Sequence, residues 1–489
     1  MRAIKKLTVC LTAGILLSST QVAFAQNTNE SSYNYDYFGR VIEDLPFFDL
    51  YKTIDQSSVE GFKISSMDDV TVAGDRIYIV DSVESRVNVF DKDLELISSI
   101  SVVRDSSGNI AIDEATNQQV RLSGPQGVFV HSEQEEVYIA DTENQRIVVL
   151  NESDLSLKKI INEPENMVGQ TVFKPSKIVV DKINRIYVVV ESGFEGIVEL
   201  NQEGEFVRYF GVNNPNVNLL DYFWKSIASE EQQEQMGKIL APSFNNIDID
   251  AEGFVYATTY DNSAQDKVFR FNPKGENVLR EEGAGDVIGD YNTDKTSTEP
   301  FISKFTDIAL TDYGTYAVLD KEMGRIFVYN FDGELMNIFG GKGIAKGELN
   351  TPTSIDWLGD NLIVTDKQMK TAYIYKPTEF GELALNAAQA YYNGEWDKAT
   401  DLLLDATDIN GNYEIAYSTI GKSYLMKEDY EKAMYYFELG DNKEYYSKAF
   451  NGYRSIWIQE NFGLIFGIFI VGIGWIFFSE YRYHKKQNM

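Results

Sequence analysis

Six strand-type runs in this chain open on Asp69, Gly127, Lys177, Asn246, Asp307 and Ser354. Each opening residue stands one position ahead of an apolar anchor: Val70, Val128, Ile178, Ile247, Ile308 and Ile355. If the runs are equivalent, their opening residues share one layer of the fold and their chemistry is read together. Asp69, Asn246 and Asp307 carry the oxygen donors that a hard cation such as calcium takes. Lys177 brings an ammonium into the same set, which opposes a metal, and Asp or Asn at strand starts also caps turns. We therefore expect Asp69, Lys177, Asn246 and Asp307 to contact a ligand or partner, and assign no catalytic residue, no metal and no cofactor.

Composition removes other chemistries. The 489 residues hold 75 acidic and 44 basic side chains, a net charge of −31, whereas neutralising phosphates requires a Lys/Arg surplus, so nucleic acid is excluded as a partner. Cys10 is the only cysteine and His131 and His484 the only histidines. Intrachain disulfides, multi-cysteine metal clusters, histidine-rich zinc sites and most histidine-base mechanisms lose their raw material. The expectation leans to a binding protein rather than an enzyme.

The elements that position these residues begin with the two ends. Residues 1–25 have a basic start (Arg2, Lys5, Lys6), an apolar stretch from Leu7 to Leu17 and the small-x-small pattern Ala23-Phe24-Ala25, the marks of a secretory signal. Cys10 lies inside the apolar stretch after Val9, so it is not a lipid-attachment site, and Gln26 begins the expected mature chain, with 26–44 an extracellular linker. Near the other end, Phe462 to Phe478 is an uncharged apolar run at the lower length limit for crossing a hydrocarbon core of about 30 Å. Trp457, Trp475, Tyr481 and Tyr483 suit the interfacial aromatic belt, and Arg482, Lys485 and Lys486 place the tail, 480–489, in the cytoplasm. The expected topology is a single-pass anchor over 462–479, led into by a juxtamembrane helix at 448–461, with the large N-terminal portion extracellular. Gly463 and Gly467 form a small-xxx-small pair of the kind that packs two such helices into a homodimer. An exported portion without cysteines suits a Gram-positive bacterial surface.

Between the ends a repeat dominates. The anchors recur at intervals of 58, 50, 69, 61 and 47 residues, each long enough for a four-stranded sheet plus loops. Alternation such as Ile77, Ile79 and Val87, Val89 marks half-buried strands joined by Asp/Gly turns. A ring of six such sheets is a β-propeller spanning 45–377. The sixth unit supplies three runs before Pro377, so Leu50 to Ile54 is expected to provide its outer strand and close the ring. Asp81 and Arg86, Asp141 and Arg146, and Asp320 and Arg325 recur five residues apart and read as exposed brackets ordering each hairpin, worth about 1 kcal/mol or less each. Residues 217–240 interrupt the repeat with a capping box, Ser229 to Gln232, and an apolar face that includes Trp224. This helical insertion is expected to cover one end of the propeller, and Trp224 joins the binding candidates. Loops 104–122 and 283–303 are long enough to shape a rim, and Asp248 to Gly253 reads as a hairpin turn rather than a calcium loop.

The segments GPQGVFV and VYIADTENQRIVVL, from Gly124 and Val137, resemble NHL repeats, with a Pro-x-Gly-Val start and a Tyr-hydrophobic-Asp-x-x-Asn-x-Arg-Ile hairpin. The resemblance implies a six-bladed propeller whose innermost strands start around a central channel. It leaves function open, because related propellers include lactonases with a channel metal and lyases that use histidine. After Pro377 a 34-residue period pairs Ala399 with Ala433, Leu403 with Phe437, Ala387 with Gly421 and Trp396 with Tyr430, and resembles two tetratricopeptide repeats over 378–447. These resemblances imply a membrane-anchored binding or scaffold protein. Its propeller takes a ligand or partner, and its helical unit contacts a membrane-associated protein or serves as a stalk. The alternative is a membrane-tethered, lactonase-like hydrolase.

Overall fold

Asp69–Ala73, Arg76–Asp81, Arg86–Asp91 and Leu96–Ile100 form the first of six antiparallel sheets in the computed structural model. The structure describes residues 32–36, 39–60, 63–167, 172–191, 193, 196–211, 243–259, 266–280, 290 and 303–487. The signal expected at 1–25, the insertion at 217–240 with Trp224, and most of 283–303 lie outside them. Blade 2 runs from Gly127–His131 to Leu157–Ile161, and blade 3 from Pro175–Val180 to Phe206–Phe210, each with four strands in sequential order. Blade 4 has three strands among the described residues, Asn246–Ile249, Val255–Thr258 and Val268–Phe271. Blade 5 runs from Phe305–Leu310 to Leu335–Gly340, and blade 6 comprises Pro352–Leu358, Asn361–Asp366 and Thr371–Pro377. The innermost strands touch in cyclic order, the sixth against the first, so the ring is closed. Closure uses the strand expected for it: Phe48–Ile54 pairs antiparallel with Thr371–Pro377, Phe48 opposite Pro377 and Ile54 opposite Ala372. Buried β-branched and aromatic side chains fill the spaces between blades, as with Val148, Val137 and Ile139 between blades 1 and 2.

Three local features differ from expectation. Within the segment read as a linker, Tyr33–Tyr35 and Val41–Glu43 form a hairpin that extends blade 5 to six strands through Tyr33 opposite Ile338. Its strands are only three residues long, too short to show alternation, and are held by the Ser32 hydroxyl donating to the Ile338 carbonyl at 2.9 Å. Part of the 104–122 loop is also core: Ala111, Val120 and Leu122 are buried with the preceding Val103 against blades 1 and 2.

The Asp/Arg brackets are not exposed either. Asp81, Asp141 and Asp320 are fully buried. Asp81 accepts the Ser65 N–H at 2.9 Å, Asp141 the Ser123 N–H at 2.7 Å and Asp320 the Lys304 N–H at 2.9 Å. Asp366 takes the same role in blade 6 for Asn350 and Thr351, without an arginine. Each carboxylate thus fastens the second strand of a blade to the chain entering its first strand. The arginine is secondary: Arg146 reaches Asp141 at 2.8 Å, Arg86 stands 4.0 Å from Asp81, and Arg325 turns to Asp290.

Six helices follow among the described residues: α1 (Glu379–Tyr392), α2 (Trp396–Ile409), α3 (Glu414–Met426), α4 (Tyr430–Leu439), α5 (Lys443–Glu460) and α6 (Phe462–Gln487). Thr378 caps α1 by accepting the Gly381 N–H at 3.0 Å, and Asp429 caps α4. Helices α1 and α3, with Leu403 and Ala406 of α2, give their apolar faces to the core they share with the propeller. Phe380, Ala384, Leu385, Tyr413, Ala416 and Ile420 share one core with Phe47, Phe48, Phe339 and Trp357. Gly381 is obligatory there, because a Cβ would run into the Phe47 carbonyl. Lys422, on α3, is 2% exposed and pairs with Asp332 at 3.2 Å and Glu334 at 3.1 Å on blade 5. The last helix is different. Phe462–Tyr483 has a mean hydropathy of 2.3 with none of it buried, and is long and apolar enough to cross a membrane. Gly463 and Gly467 have open space beside them.

Candidate functional site

Period-two alternation along the innermost strands turns Asp69, Lys177, Asn246, Asp307 and Ser354 toward the axis of the ring. Four of the five residues singled out in sequence, Asp69, Lys177, Asn246 and Asp307, are brought into one bonded network; the fifth, Trp224, lies outside the described residues. The Lys177 ammonium pairs with Asp69, and the Asn246 amide donates to Asp307. The Ser354 hydroxyl bridges the two carboxylates, 2.9 Å from Asp69 Oδ1 and 2.6 Å from Asp307 Oδ2. Blade 2 contributes no side chain to the ring, because a Cβ on Gly127 would collide with the Ser176 carbonyl of blade 3. At that point the two innermost strands approach backbone to backbone.

The same groups stitch each blade to the next. Asp69 of blade 1 accepts the Val128 N–H of blade 2 at 2.8 Å, and Asp307 of blade 5 accepts the Ile355 N–H of blade 6 at 2.8 Å. Ser354 of blade 6 accepts the Val70 N–H of blade 1 at 3.2 Å. Two residues further along the strands a second layer repeats the device. Asp248 takes the Leu310 N–H at 3.1 Å, Asp356 the Val72 N–H at 2.6 Å, and Thr71 donates to the Val128 carbonyl at 2.6 Å. Sequence reasoning missed Asp248 and Asp356, although their spacing of two from Asn246 and Ser354 was a usable signal.

The electrostatics follow from crowding. Burial pushes the Asp307 carboxyl up to about 7, with Lys177 pulling down and Asp69 pushing up. Burial likewise lifts Asp356 to about 7, its two N–H donors opposing and the Asp307 and Asp69 charges adding to the rise. Asp248 is pushed well above the ordinary carboxyl range by burial and by Asp356. Among the described residues the Lys177 ammonium pairs with Asp69, while Asp307, Asp248 and Asp356 are met by N–H and O–H donors.

A divalent metal in this ring, as in the lactonase reading, does not fit these residues. Lys177 already supplies the cation to Asp69, and both Asp307 oxygens receive N–H or O–H donors. Among the described residues no group of three or more His, Cys, Asp or Glu side chains is arranged to hold a metal. His131 is not part of the network; its Nε2 stands 3.1 Å from the Asp181 carbonyl.

No protein-family model matches this chain, and no curated protein does. Solved structures similar to it are propellers or contain one. Virginiamycin B lyase from Staphylococcus aureus is 10% identical with a TM-score of 0.40, the match covering 67% of this chain and 99% of that one. The Swd1 β-propeller domain of Myceliophteria thermophila is also 10% identical at a TM-score of 0.40, covering 68% and 100%. Hydrazine synthase of Kuenenia stuttgartiensis is 12% identical at 0.38, covering 63% and 95%. Likeness this slight carries over no residue and no activity; the six blades stand on this chain's own sheets.

Proposed function

We propose that the chain is a membrane-tethered, non-enzymatic binding and scaffold protein of the extracellular face, with its C-terminus cytoplasmic. The observation that carries this reading is the channel network, in which Asp69, Lys177, Asn246, Asp307 and Ser354 are engaged with one another and with the backbones of neighbouring blades. None of them is poised as a free acid, base or nucleophile. The propeller, of NHL type, presents its rim and the mouth of this channel to a ligand or protein partner. The helices are read as tetratricopeptide-like, which the matching burial of Ala399 with Ala433 and Leu403 with Phe437 supports. Because α1 and α3 are packed on the propeller, they serve as a rigid mount and leave α4 and α5 to meet a membrane-associated protein. Phe462–Tyr483 is the anchor, with Gly463 and Gly467 available to pack against a second helix. An accessory role in a surface uptake or sensing complex suits a propeller and a helical unit that each meet a partner.

Purification of the tagged full chain from membranes tests the reading. Stoichiometric recovery of a defined membrane protein is expected, and recovery of this chain alone would count against it. The lactonase-like alternative has one favouring observation, the convergence of Asp69, Asn246 and Asp307. It predicts a calcium-induced rise in Tm that Asp307→Ala abolishes; a flat response removes it.

A further inference from the structure

Arg325 departs from its counterpart in blade 2, while Arg86 of blade 1 stands off its aspartate at 4.0 Å. In blade 2 the equivalent Arg146 Nε bonds to Asp141 at 2.8 Å. In blade 5 the Arg325 guanidinium reaches Asp290 instead, although Asp320 stands directly opposite it in the ladder. The diversion leaves two buried orphans among the described residues: Arg325 Nε and Asp320 Oδ2 have no hydrogen-bond partner. Burial raises the Asp320 carboxyl above its ordinary range, with the Lys304 N–H and the Ser303 side chain opposing the rise. Two unsatisfied and mutually complementary buried groups are costly, and they need a compensating contact elsewhere.

That contact is at the N-terminal hairpin. Asp290 accepts the Tyr33 hydroxyl at 2.5 Å and the Tyr35 hydroxyl at 2.8 Å, and the Arg325 guanidinium lies 5.0 Å from the Tyr33 ring centre. Asp290 is fixed from behind by its own N–H, which donates to Ser303 at 2.9 Å. One carboxylate therefore holds both the hairpin tyrosines and an arginine taken from the bracket of blade 5. Beyond these contacts, the hairpin meets blade 5 through Tyr33 opposite Ile338, through the Ser32 and Asn34 side chains on the same strand, and through the Tyr33 ring, which is buried with Phe305, Phe327 and Ile338.

We propose that Arg325 is a two-position latch. On Asp290, as here, it locks the Tyr33–Glu43 hairpin onto the outer edge of blade 5. On Asp320 it restores the bracket seen in blade 2 and releases the hairpin, uncovering the edge of Leu335–Gly340. The blade remains intact in both positions, since Asp320 keeps its bonds to the Lys304 and Glu322 N–H groups through its other oxygen.

Hydrogen–deuterium exchange on the full chain in detergent or nanodiscs tests this. Asp290→Asn should speed exchange of the Tyr33–Glu43 amides by about tenfold or more, the scale of one lost charge-assisted bond, while the Tyr316–Tyr329 amides stay protected. Unchanged hairpin exchange, or hairpin and blade loosening together, would overturn the latch. Asp320→Asn supplies the second arm. Placed on Asp290→Asn, it removes the remaining carboxylate that faces Arg325 among the described residues and should deprotect Tyr316–Tyr329 more than it does in the parent chain. Equal effects in the two backgrounds would mean that Arg325 never moves to Asp320.

Discussion

Two places in this molecule bury charge, and they do so oppositely. At the mount between propeller and helices, each cation meets two carboxylates: Lys422 meets Asp332 and Glu334, and Arg270 meets Asp250 and Glu252 with its guanidinium 3.8 Å from the Phe254 ring centre. In the channel, Lys177 pairs with Asp69, while the buried Asp307, Asp356 and Asp248 carboxyls are met by N–H and O–H donors. Ion pairs reaching between facing elements fix a geometry, so the mount is a positional device. Burial, with neighbouring carboxylates adding to it, raises the Asp307 and Asp356 carboxyls and makes the ring respond to protons.

The largest expected effect breaks the mount. Lys422→Ala leaves Asp332 and Glu334 buried without their ammonium and should cost about 3–5 kcal/mol, read as a loss of Tm and of protection in α3. A cost below about 1 kcal/mol would mean that water replaces the ammonium and that the mount holds by apolar packing alone. Next, Lys177→Met removes the channel's cation and should cost roughly 2–3 kcal/mol at pH 8 and clearly less at pH 6, where protonation relieves the carboxylates. An equal loss at both pH values would show that packing, not charge, is what the lysine supplies.

The third effect is in the unaltered chain. A carboxyl whose pKa is raised by folding binds its proton more tightly in the folded state, so the stability it contributes is present at low pH and lost as pH rises through its folded value. With Asp307 and Asp356 both near 7, the propeller should lose on the order of 1–3 kcal/mol between pH 6 and pH 8. Denaturant melts at the two pH values measure this, and Asp307→Asn with Asp356→Asn should flatten the difference. The smallest effect calibrates the rest. Lys92 and Asp75 form an exposed pair at 3.7 Å, and Lys92→Ala should change stability by less than about 0.5 kcal/mol in the same melts.

Much of this was legible in the residues themselves. The apolar anchors and their intervals marked six sheets, and the shortfall after Pro377 pointed to Phe48–Ile54 as the closing strand, because an unpaired propeller edge is a strong constraint. Asp69, Lys177, Asn246 and Asp307 were recognisable as one layer because strand-start positions are equivalent under the repeat. Their mutual bonding was not, since which oxygen meets which donor depends on how closely blades approach, as at Gly127. The Asp/Arg pairs show the same limit. Spacing five residues apart announced a bracket, yet a hairpin pattern says nothing of the chain entering the blade, which buries Asp81, Asp141 and Asp320.

The sequence alone determined the elements: strands by alternation, helices by period, and an apolar helix by a run without charge, all of them local properties that a one-dimensional pattern encodes. Only the tertiary structure decided where the charges went. It paired Lys177 with the distant Asp69, packed α1 and α3 onto blade 5, and drew Arg325 from its repeat partner to Asp290. Those outcomes depend on distances between residues far apart in the chain, and electrostatic energies are set by distance and burial rather than by order in sequence.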